Sequence, residues 1–306
     1  MDVLIEAAEL ATLLTETGAG RAARPDGAPV LIDVRWSLGG PSRLPDFLSG
    51  HIPGAHWVDL ETELSDHQAT ERRDSDPPAT DGDVRGRGRH PLPAPAAFEA
   101  AMRRAGVDTD STVIIYDADN ALAASRLWWM LADAGHRQIR VLNGGYAAWL
   151  AMGGPVETGA GEPIPPGDFR ASPGQLPRID AAELAEQISA GEAGTIIDVR
   201  GPERYAGESE PIDPVAGHIP GAINVPSMIN VGSDGRFLSA AEIAANFGTA
   251  DRSDSEPVVY CGSGITAAHT ALARTVAGLS MPRLYPGSWS DWITDPSRPV
   301  STGDQP

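Results

Sequence analysis

Val258-Val259-Tyr260-Cys261-Gly262-Ser263-Gly264-Ile265-Thr266-Ala267 is the stretch from which the rest of the chain can be read. Three β-prone residues stop at the only cysteine among 306 residues, a Gly-Ser-Gly turn follows, and the Ala-rich residues 266–276 have helical spacing. Strand, loop and helix in that order make one unit of a parallel α/β sheet. The loop lies at the carboxyl end of its strand, where such sheets bind ligands. Peptide N–H groups converge on an anion in loops of this kind, and the positive end of the following helix adds to them; both favour the thiolate of Cys261. Residues 257–290 contain no Asp or Glu, where the average acidity of the chain would place about five, and Arg274 and Arg283 fall inside that window. A lone cysteine is otherwise a small buried hydrophobe. Its place in an acid-free glycine turn at a strand end argues for a nucleophile.

With 41% apolar residues and 306 in all, the chain is long and apolar enough for about two domains with real cores. A formal net charge of −19 argues against nucleic acid or an anionic membrane as partner, since an acidic surface repels polyanions. One cysteine excludes an intramolecular disulfide. Residues 1–14 carry Asp2, Glu6 and Glu9 in place of a basic, then apolar, signal peptide, and no apolar run reaches bilayer length. A cytoplasmic protein is the expectation. One cysteine and seven scattered histidines supply no metal-ligand spacing.

Reading forward, Ile5 to Leu14 has helical spacing and Val30-Leu-Ile-Asp-Val34 is a buried strand ending at Arg35. The same words then return. Ala181-Ala-Glu-Leu-Ala185 echoes Ala7-Ala-Glu-Leu-Ala11, Ile196-Ile-Asp-Val-Arg200 echoes Leu31-Ile-Asp-Val-Arg35, and Gly217-His-Ile-Pro-Gly-Ala222 echoes Gly50-His-Ile-Pro-Gly-Ala55. Val113-Ile-Ile-Tyr-Asp117 pairs with Val258-Val-Tyr-Cys261, and Asn143-Gly-Gly-Tyr-Ala-Ala-Trp149 with Pro286-Gly-Ser-Trp-Ser-Asp-Trp292. Five matches in one order mean a duplicated domain. The expected architecture is two tandem α/β domains, each a parallel sheet flanked by helices: residues 1–155, a Gly- and Pro-rich linker at 156–177, and residues 178–306. The polar residues 66–89 read as a surface loop. Where the second half has Cys261 the first has Asp117, followed by no Gly-x-Gly turn, so the first half reads as a catalytically inactive copy.

Other readings of the loop are weaker. Gly262-Ser-Gly-Ile-Thr-Ala267 fits the dinucleotide fingerprint, but the acid that should bind the ribose roughly 20 residues on is missing before Asp291. A Cys-x5-Arg phosphatase loop would need arginine where Ala267 stands. A cysteine hydrolase needs a histidine base, and His269 falls on the following helix. His51 and His218 stand at the same place in both copies, which favours turn-fixing. Trp128, Trp129, Trp149, Trp289 and Trp292 read as packing residues.

These residues together resemble the tandem-domain rhodaneses, the thiosulfate and 3-mercaptopyruvate sulfurtransferases, over nearly the whole chain. The Asp-Val-Arg and His-Ile-Pro-Gly-Ala words, Trp128-Trp129, Gly-Ser-Trp289 and the inactive first half carry the resemblance, and Cys-Gly-Ser-Gly-Ile-Thr-Ala267 is close to the loop of the mercaptopyruvate branch. The resemblance implies a transferase with Cys261 as nucleophile, a persulfide intermediate, and transfer to cyanide or a thiol acceptor such as thioredoxin, with no external cofactor. It implies that the loop, Gly262, Gly264, Ile265 and Thr266, holds the anionic sulfur, that Ser263 polarises the donor, and that Arg204 clamps the donor anion. His51 matches the histidine of a proposed Ser-His-Asp relay, and Ser263 its serine. The second clamp arginine of that branch falls on Asp213, an acid expected to weaken carboxylate binding unless it turns outward or pairs with Arg204; if it weakens binding, Asp213→Arg lowers the KM for mercaptopyruvate. A persulfide-carrying binding module with little donor turnover is the alternative.

Overall fold

The repeated apolar words become strands because both of their faces are covered. In the computed structural model, which describes residues 2–18, 27–66, 88–248 and 256–306, β2 (Val30–Asp33) and β4 (Val113–Tyr116) are buried at every position, as are β6 (Ile196–Asp198) and β8 (Val258–Tyr260). Continuous burial in place of alternation is the mark of a parallel sheet packed by helices on two sides. The first sheet adds β1 (Leu4–Ile5), β3 (Ala55–Trp57) and β5 (Ile139–Leu142) in the order β1-β5-β4-β2-β3, all parallel. The second adds β7 (Ala222–Asn224) and β9 (Arg283–Leu284) in the order β7-β6-β8-β9, again parallel. Where the first sheet has β1, the second has an isolated parallel bridge from Arg178 to Leu284. The two sheets therefore share one topology, the α/β class expected from the repeat.

Six helices accompany the first sheet among the described residues: α1 (Ala7–Thr17), α2 (Leu44–Ser49), α3 (Leu60–Glu63), α4 (Pro95–Arg104), α5 (Leu122–Asp133) and α6 (Gly145–Ala151). The second has α7 (Ala181–Ala190), α8 (Pro202–Ala206), α9 (Ala240–Phe247), α10 (Ile265–Val276) and α11 (Ser288–Trp292). The helix expected from Ile5 starts at Ala7. Leu4 and Ile5 are claimed by β5, and the peptide N–H of Asn143 donates to the Ile5 carbonyl at 2.9 Å.

The chain forms two compact units whose membership is not a simple cut. Residues 1–64, 93–175 and 231–238 make one, and residues 65–92, 176–230 and 239–306 the other. Residues 155–175 carry no helix, and they pack on the first unit. Gly167 N–H donates to the Arg103 carbonyl at 2.8 Å, and buried Phe169 meets Phe98 edge-on. Of the expected surface loop, residues 67–87 lie outside the described residues.

The duplicated words have one mechanical explanation in both units. Arg35 donates through Nε to Asp33 and through Nη2 to the Gly50 carbonyl, and Arg200 does the same to Asp198 and Gly217. The arginine thus ties a strand end to the residue before His-Ile-Pro-Gly-Ala. The histidine that follows stacks at 3.9 Å on Phe47 in the first unit and on Tyr205 in the second, with Nδ1 2.9 and 2.8 Å from their carbonyls. Tyr116 and Tyr260 close the motif by accepting the Ile52 and Ile219 N–H groups. His51 and His218 are completely buried, and both act as turn-fixing residues.

The loop after β4 shows what the first unit does with its own anion hole. Both Asp117 oxygens accept peptide N–H groups at the start of α5, from Ala121 at 3.0 Å and from Ala123 and Ala124 at 2.9 and 3.1 Å. Ala121 takes a left-handed conformation, φ 62°, to aim them. An N–H nest therefore forms without the Gly-x-Gly turn, and the side chain of the loop's first residue fills it. Burial pushes the Asp117 carboxyl up to about 6 against the pull of those three N–H groups, with Asp119 adding repulsion. The folded protein therefore holds this proton more tightly than the unfolded chain, whose carboxyl has the ordinary value of 3.8. Its contribution to stability is greatest below pH 4, falls as pH rises to about 6, and is constant above; the full span is about 3 kcal/mol. Urea unfolding of wild type and Asp117→Asn at pH 4 and pH 7 should show a stability difference that shifts in the variant's favour by up to that amount; a pH-independent difference would contradict it.

Candidate active site

Cys261 follows β8 and opens a four-residue loop, 261–264, closed by Gly264, which caps α10 in a left-handed conformation (φ 84°) that a side chain would strain. The thiol is 2% exposed. Its Sγ lies 3.1 Å from the Gly264 N–H, which donates to it, and faces the N-terminus of a 12-residue helix. Ile265, buried, and Thr266, half-buried, are the first two residues of that helix.

A second element holds the loop from behind. After β9 the chain turns at Ser288, whose φ of 55° is one of two positive values at non-glycine residues among the described residues. Its Oγ accepts the Cys261 N–H at 3.1 Å, donates to the Tyr285 carbonyl at 2.9 Å, and approaches Sγ at 3.9 Å. The next two N–H groups, of Trp289 and Ser290, donate to the carbonyls of Cys261 and Gly262 at 2.9 and 3.0 Å. In the first unit the matching residue is Gly145, also at φ 55°.

Two further segments bring charge and an imidazole. Arg204, on α8, donates from Nε and Nη2 to Glu210 at 2.9 and 2.8 Å and from Nη2 to Asp213 at 3.1 Å. Asp213 also forms an ion pair with Arg89. The acid expected to repel a donor carboxylate unless paired is paired, with Arg204 and with Arg89, and Asp213→Arg would remove the tether of both. Burial raises the Asp213 carboxyl above its ordinary range, aided by Glu210 and opposed by Arg89 and Arg204. Glu210 is held below its range: burial pushes it up, and the Asp213 N–H and the Arg204 guanidinium outweigh that.

Ser263 is buried with Oγ 2.7 Å from Nδ1 of His90. The imidazole that meets Ser263 is thus His90, where the resemblance had matched the relay's histidine to His51. His51 has its Nδ1 committed to the Phe47 carbonyl and belongs to the first compact unit. Arg89 and His90 were missed because the first ends, and the second directly follows, the polar stretch 66–89 read as a surface loop. The available signal was the local run Arg85-Gly-Arg-Gly-Arg-His90, three arginines and a histidine in an acidic chain. The backbone there is held closely: Arg89 N–H donates to Ser290 Oγ at 3.0 Å, and a side chain on Gly88 would overlap the Gly287 carbonyl. Among the described residues no group of three or more His, Cys, Asp or Glu is placed to hold a metal ion.

The Rhodanese-like domain model matches the chain twice, at residues 19–152 and 180–295. A Pseudomonas aeruginosa protein named for 3-mercaptopyruvate sulfurtransferase activity is 43% identical over 291 residues, 94% of this chain and 96% of its own. A Mycobacterium tuberculosis H37Rv protein named for thiosulfate sulfurtransferase activity is 41% identical over 303 residues, 98% and 97% of the two chains. The crystal structure of SseA from Escherichia coli, described as a 3-mercaptopyruvate sulfotransferase, superposes with a TM-score of 0.75 at 31% identity, covering 95% of this chain and all of the other.

The strained serine gives a stability test. Ser288→Ala keeps the left-handed strain and leaves the Cys261 N–H without an acceptor, costing about 2 kcal/mol. Ser288→Gly loses the same bond but relieves about 1 kcal/mol of backbone strain. Denaturant unfolding should rank wild type above Ser288→Gly and that above Ser288→Ala; the reverse order of the two variants would show that the backbone there is unstrained.

Proposed function

The chain belongs to the rhodanese family as a tandem pair of its domains, and on that footing we propose that it is a sulfurtransferase moving sulfane sulfur from 3-mercaptopyruvate through a Cys261 persulfide to a thiol acceptor. The observation that carries this reading is the Cys261 sulfur accepting a peptide N–H at a helix N-terminus, with two arginines close to the same loop. The Cys261 thiolate attacks the donor sulfur, and an S–S bond forms. The carbon–sulfur bond of mercaptopyruvate breaks with its electron pair passing to carbon as the enolate. That carbon takes up the proton released from the donor thiol, giving pyruvate. Ser263 and His90, in contact, supply a path for the proton to the donor's oxygen and carbon. The loop N–H groups hold the terminal sulfur of the persulfide as they hold the thiolate. Acceptor thiolate, of the thioredoxin type, or cyanide then attacks the outer sulfur and releases Cys261.

Among the described residues no helix is long and apolar enough to cross a membrane, and we read the enzyme as cytoplasmic. Thiosulfate is the second donor to consider, on the evidence of the 41% identical relative named for it. The loop favours mercaptopyruvate. Between Cys261 and Ala267 it holds no cation for a dianion, and the nearby guanidinia share their charge with Glu210 and Asp213.

Incubation with mercaptopyruvate should add one sulfur atom to the intact mass of wild type and none to Cys261→Ser, which should also lose all transfer to cyanide. Side-by-side kinetics should give a higher kcat/KM for mercaptopyruvate than for thiosulfate. Transfer by Cys261→Ser would sink the mechanism, thiosulfate preference the donor assignment, and mass gain without turnover would favour a persulfide carrier.

A further inference from the structure

Arg204 has spent one edge of its guanidinium. Nε and Nη2 are bonded to Glu210 and Asp213, and Nη1 makes no hydrogen bond among the described residues. Arg89 is held in the same way through Nη1 on Asp213, and its buried Nε has no hydrogen-bond partner among the described residues. The unspent edges converge. The point where a Gly262 Cβ would stand lies 2.8 Å from Arg89 Nη2 and 3.5 Å from Arg204 Nη1. Both donors thus face the residue next to the nucleophile, at a place kept open because residue 262 has no side chain. The side chains are 27% and 19% exposed, sheltered enough for strong hydrogen bonds and open enough to be reached.

We infer that Arg89 is the second donor-binding arginine of this enzyme, and that Asp213 is the staple that holds Arg89 and Arg204 side by side against their mutual repulsion so that together they grip one carboxylate. The inference deepens the sulfurtransferase reading and rests on it. Two guanidinia with Asp213 between them present donors along one line, which suits a planar carboxylate one or two carbons away from the reacting sulfur. The neighbouring residue completes the arrangement, since His90 touches Ser263. One dipeptide thus sets the donor's carboxylate with Arg89 and the loop hydroxyl with His90. The position after Glu210 where an arginine was looked for carries the staple, and the second cation arrives from residue 89.

The single cysteine permits a test that needs no sulfur transfer. Iodoacetate carries a carboxylate next to its reacting carbon and iodoacetamide does not, so the ratio of their alkylation rates at Cys261, read by intact mass, reports anion gripping beside the thiolate. Arg89→Gln and Arg204→Gln should each lower that ratio about tenfold, the loss of one charge-assisted hydrogen bond. Gly262→Ala keeps every charge and needs no left-handed backbone. Its methyl group displaces the tip of Arg89, so it should lower the ratio with an unchanged melting temperature. Arg89→Gln should raise KM for mercaptopyruvate about tenfold with a smaller change in kcat, the mark of binding shared by ground and transition states. A normal ratio in Arg89→Gln beside a reduced one in Arg204→Gln would overturn the inference and leave Arg204 as sole clamp. A normal ratio in Gly262→Ala would reduce Arg89 to a remote charge and overturn it as well. Absence of any persulfide in wild type would instead count against the sulfurtransferase reading, while the alkylation ratio still decides the role of Arg89.

Discussion

The second unit hangs on the guanidinium of Arg200. Its Nη2 is 2.6 Å from Asp198 Oδ2 at the end of the central strand, donates to the Gly217 carbonyl at 2.6 Å, and its Nη1 lies 3.3 Å from Glu210. Its face covers the Trp289 ring at 4.7 Å. From there the charges continue outward: Glu210 to Arg204, Arg204 to Asp213, Asp213 to Arg89. Alternating sign makes the chain self-supporting. It begins in the sheet and ends over the cysteine loop, so Arg204 and Arg89 are positioned by the same buried pair that fixes the β6 strand end. Removing Asp198 or Glu210 would act at a distance, through the arginines they hold.

Such a network is a poor way to gain stability. Each buried ion loses hydration, and the mutual attraction about repays it. The upward push on the Asp213 carboxyl shows the cost locally. What it supplies is position: guanidinia whose bonded edges are fixed and whose free edges point one way. Ser288 makes the same exchange in backbone conformation, where a left-handed residue is kept for the hydroxyl that meets Cys261 N–H.

The duplication separates scaffold from chemistry. Arginine fork, stacked histidine and tyrosine hydroxyl recur in both units with nearly equal distances. A loop that turns peptide N–H groups on the side chain at its start recurs too, three of them on Asp117 and the Gly264 N–H on Cys261 Sγ. In the first unit that side chain is the carboxylate of Asp117; in the second the residue is a cysteine, and the sulfur can gain and lose a partner atom. In the first unit the anion at this loop is thus built into the chain.

The sequence by itself determined the α/β class and the duplication, and it singled out Cys261 and Arg204 as candidates, because each of these is local or periodic. A strand-loop-helix unit is contiguous, five repeated words keep one order, and a lone cysteine in a glycine turn needs no distant partner to be recognised. It also contained the equal placement of His51 and His218, which the stacked, buried rings explain as scaffold. Only the tertiary structure decided which imidazole meets Ser263 and what Asp213 does. His90 lies 173 residues from Ser263, and Arg89 124 residues from Asp213, along a chain stretch whose polar composition reads as solvent-facing. Contacts of that separation leave no periodic trace in a single sequence. Charge sign alone misleads as well: an acid beside an anion site looks repulsive until the structure shows two arginines neutralising it. The physical reason is that an ion pair is defined by distance and burial, and neither is written in the order of residues.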